Sequence, residues 1–363
     1  MVGGERNRKK RILLLMREYV LGGAETQFRF LIEYAQQHGW NLDVLIEHDL
    51  HGDDASVREA QRRLTDVAFY ELAGGRVDGR MFVGVMRHIL RHHFRGRYDA
   101  CLIYYPLDLM FAPFIRASGI PVIYSERVDA QAIADSPYLQ WCLRCCSKIL
   151  ANSRCAKKEL EALTKRHVTW IRNGQAAVPQ LPLKTDRRIR RILVPARIAP
   201  PKNQLLPLQY LRRCPDTERK IVFAGLVEDK AYHGRLRQFV RKNGLQDKVE
   251  FLGQTADMAQ EYRKADLVLL PSFAEGTPNV VLEAYLYGRP VIVSDINVER
   301  DIVPDPSLRF GVNDAMGIGE CIRYVQEMPE AAYSHMIAKN RRIVLKNYGI
   351  EQMAERFYAV LSG

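Results

Sequence analysis

Two glutamates in "LVLLPSFAEGTPNVVLEAYLYGRPVIVSD", residues 267–295, have the types and spacing that most plainly lend themselves to chemistry. "LVLLPS" reads as a buried strand and "FAEG" as a tight loop that carries Glu275, with Gly276 letting the backbone bend toward a ligand. Thr277 fits the N-cap of a following helix, with Pro278 at its first position, and Gly288 ends that helix before the next strand. Glu283 then lies a turn or two inside the helix, roughly 7–8 Å along the axis from Glu275. A helix start presents unpaired N–H groups and the positive end of its dipole, which suits a phosphate. Carboxylates only accept hydrogen bonds, so two of them flanking an anion site suit hydroxyl groups on either side of a pyrophosphate. Acids near a helix start are also favoured by the dipole alone, and that is the competing reading.

The elements that must hold these residues follow from apolar periodicity. Strand candidates alternate with helical patterns: "RILLLM", "LDVLIE", "VAFYEL", "DACLIYY", "PVIYSE", "KILANS" and "VTWI" in the first half, then "RRILVPARI", "KIVFAG", "VEFLG", "LVLLPS" and "PVIVSD" in the second. Such alternation implies α/β architecture with parallel sheets. Between the two series "NGQAAVPQLPLKTDRR" has no periodicity and reads as a linker. Two doubly wound, Rossmann-like domains result, and ligands of such sheets bind outside the carboxyl ends of the strands, so facing domains would offer a cleft.

Composition sets the class. Of 363 residues 47% are apolar and 26% charged, enough apolar surface for two cores. No apolar run approaches the roughly 20 residues of a membrane-spanning helix, so the cytoplasm is the expected location. The seven cysteines are odd in number and irregularly spaced; Cys142 and Cys145 form a lone CxxC without a second pair, and buried free thiols are the reading. A net charge of +12 raises nucleic acid as a partner, yet the basic residues are interleaved with 42 acids and lack the aromatic pattern of an RNA-binding sheet. No nucleic acid is expected; anionic lipid or a phosphorylated substrate fits the charge as well.

Within "PSxxEGxPNVxLEA" the E-x7-E spacing of Glu275 and Glu283 resembles that of the retaining GT-B glycosyltransferases of the large family 4 group. The resemblance implies that Glu275 grips hydroxyls of a donor hexose, that the backbone around Gly276, Thr277 and Asn279 lines the sugar and phosphate pocket, and that Glu283 holds the ribose. "ILVPARIAPPKNQ" is similar to the family's "GRLxxxKN" loop, which makes Arg197 and Lys202 the groups that neutralise a departing diphosphate; Ala196 stands where the family usually has glycine. Gly22 and Gly23 resemble the family's loop that approaches the diphosphate, and Gly253 falls where the family's backbone meets the base. "YSERVD" puts Glu126 and Arg127 where the family places residues near the reacting sugar and the acceptor.

The resemblance covers residues 11 to 345 and implies an acceptor-side domain over 1–177, a nucleotide-sugar domain over 178–345 and a helix over 346–363 that crosses back onto the first. It implies a retaining hexosyltransferase that moves a hexose or N-acetylhexosamine from a UDP or GDP sugar to a glycan or lipid-linked saccharide in surface polysaccharide synthesis. No Asp-x-Asp closes a hydrophobic strand, so no metal and no cofactor is expected beyond the nucleotide-sugar substrate. A nucleotide-sugar 2-epimerase of the same fold and a non-catalytic polyanion-binding protein are the alternatives. Residues 80–97 combine an apolar stripe with Arg80, Arg87, Arg91, Arg95 and Arg97. That pattern suits either a crossover helix or a peripheral contact with the anionic inner face of the plasma membrane.

Overall fold

The computed structural model describes residues 10–16, 23–46, 68–71, 79–93, 98–127, 130–179, 181, 186–215, 218–255, 257–296, 300 and 302–362. Its contacts divide the chain into two units, Met1–Gly174 with Ile350–Gly363, and Gln175–Gly349.

In the first unit the apolar runs form β1 (Arg11–Met16), β2 (Asn41–Ile46), β3 (Ala68–Glu71), β4 (Ala100–Ile103), β5 (Val122–Glu126), β6 (Lys148–Ala151) and β7 (Thr169–Trp170). They pair in parallel in the order β3-β2-β1-β4-β5-β6-β7. β4 and β5 are buried throughout because helices cover both faces of the sheet. On one face the helix Gly23–Gln37 packs Phe28, Leu31, Ile32 and Ala35 beside Met353, Ala354, Phe357 and Leu361 of the helix Ile350–Ser362. On the other, Ile115, Leu143 and Leu160 belong to a second cluster. "KILANS" ends as a strand at Ala151 because Ser153 turns the chain into the helix Arg154–Thr164, its hydroxyl accepting from Ala156 N–H at 3.0 Å.

The second unit contains β8 (Arg191–Pro195), β9 (Lys220–Ala224), β10 (Val249–Gly253), β11 (Leu267–Leu270), β12 (Val291–Ser294) and β13 (Arg309–Phe310), all parallel, in the order β10-β9-β8-β11-β12-β13. Strand order reverses between β1 and β4 in the first sheet and between β8 and β11 in the second. At such a switch point the loops leaving two neighbouring strands run apart and open a crevice at the carboxyl ends.

The unit boundaries differ by a few residues from those expected at 177 and 345. Gln175 N–H donates to Tyr348 O at 2.6 Å and Gln175 bridges Gly349, so both crossings fall at one place, 174/175 and 349/350. Just inside the first unit, Gln27 holds Gly174 by two bonds, Nε2 to its carbonyl at 3.1 Å and its N–H to Oε1 at 2.6 Å.

Ala196 stands where similar loops have glycine, and the loop after β9 has a glycine, Gly225, against its backbone. A Cβ at Gly225 would stand 2.2 Å from the carbonyl oxygen of Ala196, so the backbones after β8 and β9 touch there. Gly225→Ala is therefore expected to cost about 2–3 kcal/mol by overpacking and to lower Tm by several degrees in thermal denaturation, whereas Ala196→Gly changes it little.

Candidate functional site

The site of the second unit is assembled at the β8/β11 switch point. β8 delivers Arg197 and, five residues on, Lys202; β11 delivers Ser272 and Glu275. The two loops are fastened by backbone, Phe273 N–H donating to Pro201 O at 2.9 Å. Lys202 Nζ then reaches Glu275 Oε1 at 2.7 Å, and Ser272 Oγ donates to the same oxygen at 2.6 Å. With side chains 19% and 12% exposed, this ion pair is partly desolvated and correspondingly stronger than a surface pair.

Arg197 is held differently. Its guanidinium pairs with Glu228 of the loop after β9, both side chains being about half exposed. The loop itself is fixed from behind: Gln204 Nε2 donates to Arg197 O at 2.7 Å, and Ile198 N–H donates to Leu226 O at 2.8 Å. Lys202 and Glu275 are thus brought into contact, while Arg197 is turned to a carboxylate that sequence reasoning did not single out.

The helix start departs from expectation by one residue. Pro278, extended at φ −73° and ψ 93°, is itself the N-cap, and the helix runs Asn279–Leu286, so Thr277 does not cap it. Proline in the cap position offers the first turn no side-chain cap bond. Asn279 Oδ1 accepts from Gln175 Nε2 at 3.3 Å. Gly276 is buried but is not among the glycines with positive φ, so its backbone does not need glycine's freedom. Gly253, ending β10 at φ 68°, does, and its carbonyl accepts from Gly225 N–H at 2.8 Å.

Glu283 projects from this helix toward Tyr262, whose hydroxyl donates to Oε2 at 2.7 Å while its ring stacks on Tyr287 at 5.2 Å. Burial pushes the Glu283 carboxyl above the usual carboxylate range, and the Tyr262 bond draws it back. The Tyr262 phenol is itself raised well above 10.0, by burial first and by the Glu283 charge second. Tyr262 was not legible as a site residue; in sequence it is one aromatic among a helix's apolar positions. Ser272, three residues before Glu275, had a visible spacing but no assigned role.

In the first unit, Gly23 opens the helix Gly23–Gln37, while Gly22 lies outside the described residues. Glu126 and Arg127, which the resemblance puts near a reacting sugar and an acceptor, are both enclosed within the first unit. Glu126 is fully buried, its carboxylate accepting from Tyr124 Oη at 2.7 Å and from Arg127 N–H at 2.9 Å. Arg127 is buried as well, bonded to Asn173 Oδ1 at 2.9 Å, with its guanidinium 5.4 Å and 4.9 Å from the ring centroids of Phe28 and Phe357. Arg127 ties the end of β5 to the helix Gly23–Gln37 and to the helix Ile350–Ser362. Among the described residues no group of three or more His, Cys, Asp or Glu side chains has a metal-binding arrangement. All seven cysteines are free thiols, Cys142 buried and Cys145 half-buried.

Two parallel, doubly wound units with this strand order define the GT-B fold of glycosyltransferases. The structure of Anabaena HepE in complex with UDP and glucose superposes with a TM-score of 0.79 at 19% identity, over 97% of this chain and 99% of that one. Residues 21–175 match the Glycosyltransferase Family 4 model and residues 189–326 the Glycosyl transferases group 1 model. Each half of the chain is therefore similar to glycosyltransferases by its own domain model, the first to Glycosyltransferase Family 4 and the second to Glycosyl transferases group 1. Among curated proteins the chain is similar to the lipopolysaccharide core biosynthesis mannosyltransferase LpsB of Rhizobium meliloti, 28% identical over 36% of this chain and 38% of that protein. It is likewise similar to the O-antigen chain mannosyltransferase RfbU of Salmonella typhimurium, 30% identical over 32% of this chain and 33% of that one. The chain thus spans well under half the length of the curated relatives it matches.

The buried carboxyl yields a test with a definite sign. Because the folded-state pKa of Glu283 is raised, the unfolded chain loses this proton first, and the native state binds more protons as pH climbs from the ordinary glutamate value to the raised one. Stability contributed at this position therefore falls with rising pH through that window and is level above it. Glu283→Gln is expected to melt higher than the parent at pH 7 to 8, with the gap closing toward pH 4. A gap that widens on acidification contradicts the burial argument.

Proposed function

We propose that this chain is a retaining, metal-independent hexosyltransferase. It moves a hexose or N-acetylhexosamine from a UDP or GDP sugar to a hydroxyl of a glycan or lipid-linked saccharide during surface polysaccharide synthesis. The observation that carries this reading is the Lys202–Glu275 pair at the β8/β11 switch point, beside the start of the helix Asn279–Leu286. Support comes also from the nucleotide and sugar bound to HepE and from the polysaccharide roles in the names of LpsB and RfbU.

In this reading the diphosphate lies against the helix start, where N–H groups and the dipole favour negative charge. Lys202 exchanges part of its bond with Glu275 for a phosphate oxygen, and Arg197 turns from Glu228 to the same group. Both cations then meet charge that grows as the bond between the sugar's anomeric carbon and the phosphate oxygen breaks. Glu275 bonds Ser272 and Lys202 through Oε1 and offers Oε2 to a sugar hydroxyl. Glu283, oriented by Tyr262, takes the ribose hydroxyls. The acceptor oxygen bonds to the anomeric carbon on the face the phosphate leaves, and its proton passes to the departing phosphate oxygen. No nucleophile of the protein is required.

Lys202→Met is expected to lower kcat about 10²–10³-fold, and Glu275→Gln to lower kcat/KM roughly 10–100-fold, in an assay of donor-sugar transfer or hydrolysis. Tyr262→Phe, which leaves the charges in place, should raise KM for the donor more than it lowers kcat. A panel of UDP, GDP and ADP sugars that leaves the melting temperature unmoved, or full activity in Lys202→Met, refutes the assignment. Weak, steeply salt-dependent polyanion binding without donor turnover would favour a binding protein instead.

A peripheral membrane contact fits the surface of the first unit. The helix Gly79–His93 buries Val85 and Ile89 but exposes Val83 and Leu90 together with Arg87 and Arg91, and exposed Phe114 packs edge-on against Phe82 at 4.8 Å. Arg95 and Arg97 lie outside the described residues, as does the side chain of Arg80. Among the described residues no helix is long and apolar enough to cross a membrane. Co-sedimentation with vesicles containing phosphatidylglycerol is expected to exceed that with phosphatidylcholine vesicles, and to fall to the same level in Arg87→Glu/Arg91→Glu.

A further inference from the structure

A cavity of about 290 Å³ opens in the first unit, lined by Lys10, Tyr34, His38, Gly39, Trp40, Glu355 and Tyr358. Its position separates it from the reaction. Lys10 immediately precedes β1 and Trp40 immediately precedes β2, so the cavity sits at the amino ends of the parallel strands. Substrates of a doubly wound sheet gather at the opposite, carboxyl ends.

The walls are aromatic and partly open. Trp40 lies 4.6 Å from Tyr358, tilted by 32°, and makes a T-shaped contact with Tyr34 at 5.8 Å; Tyr34 stacks on His38 at 3.7 Å. Tyr358 is 41% exposed, and His38 and Glu355 are exposed as well. His38 is held in its stacked position by a bond between Nδ1 and Tyr34 O at 2.9 Å. Lys10 Nζ bonds the carbonyl of Ser362 at the cavity's edge. The lining therefore combines one ammonium, one carboxylate and a group of aromatic rings.

This chemistry selects a ligand. Aromatic faces carry negative potential and attract the weakly positive C–H groups on one face of a pyranose ring. A carboxylate accepts from hydroxyls and an ammonium donates to ring and hydroxyl oxygens, which sugars provide around their perimeter. A cation would also favour the rings, but it would meet the Lys10 ammonium. The volume lies at the lower bound of small-molecule pockets and suits one ring rather than a nucleotide sugar.

We propose that this cavity is a second carbohydrate site that holds one neutral pyranose unit of a glycan. That the glycan is part of the acceptor rests on the transferase reading above; the binding itself does not. A chain held at a point distant from its reacting end stays with the enzyme between encounters, through the raised effective concentration of a tethered ligand.

Saturation-transfer NMR on the full chain, with the methyl glycosides of glucose, galactose, mannose and N-acetylglucosamine and an excess of UDP and GDP, tests it. At least one glycoside is expected to give a saturable signal, with a dissociation constant on the order of millimolar. Tyr358→Ala should weaken that binding about tenfold or more and Glu355→Gln severalfold. Both residues are exposed, and a parental melting curve verifies that the variants fold. Absence of a saturable signal from every glycoside, binding unchanged in both variants, or binding abolished by the nucleotides each overturns the proposal. Donor stabilisation in the melting assay is read separately, so failure here is distinguishable from failure of the transferase reading.

Discussion

One ion pair organises the second unit's site. Lys202 and Glu275 are 73 residues apart and meet at 2.7 Å only because β8 and β11 are direct neighbours where strand order reverses. Any other pairing of these strands would separate the two loops by a strand spacing of nearly 5 Å or more. Glu275 is also the counterion of a lysine whose side chain is largely enclosed. Ser272 fixes the carboxylate further, because its hydroxyl bonds the same oxygen.

The two remaining charged positions lie at opposite ends of the solvation scale. Arg197 and Glu228 are about half exposed, so their pairing is weak and easily traded for a stronger anion. Glu283 is enclosed, its carboxyl raised by burial and steadied by Tyr262. A group of that kind costs stability when charged, and perturbed carboxyls cluster at functional sites. The second unit thus holds one enclosed contact, Glu283 with Tyr262, and one solvent-weakened contact, Arg197 with Glu228.

Much of this was legible in sequence, for physical reasons. Parallel sheets betray themselves as apolar runs of four to six residues, so all the strands but the two-residue edge strand β13 could be read directly. Glu275, Lys202 and Glu283 could be placed relative to the strands because each follows such a run at a short offset, while their roles rest on the family resemblance. Residues contributed by tertiary contact were not: Tyr262 approaches Glu283 from another helix, and Glu228 approaches Arg197 from another strand's loop. Burial at strand ends was not legible either. Glu126 and Arg127 are enclosed at a strand end, with Arg127 packed over a ring of the helix Ile350–Ser362, and nothing in the local sequence announces that. The helix start moved by one residue because proline fits both the cap and the first turn, and sequence does not distinguish them. The aromatic cavity draws its lining from both ends of the chain and carries no local signature at all.

The most direct measurement is a crystal structure of the chain soaked with a nucleoside diphosphate sugar. The account predicts the diphosphate between the start of the helix Asn279–Leu286 and Lys202, a hexose hydroxyl on Glu275, and the ribose on Glu283, with Arg197 released from Glu228. A ligand bound elsewhere, or one bound here with the Lys202–Glu275 contact unchanged and Glu283 untouched, would contradict it.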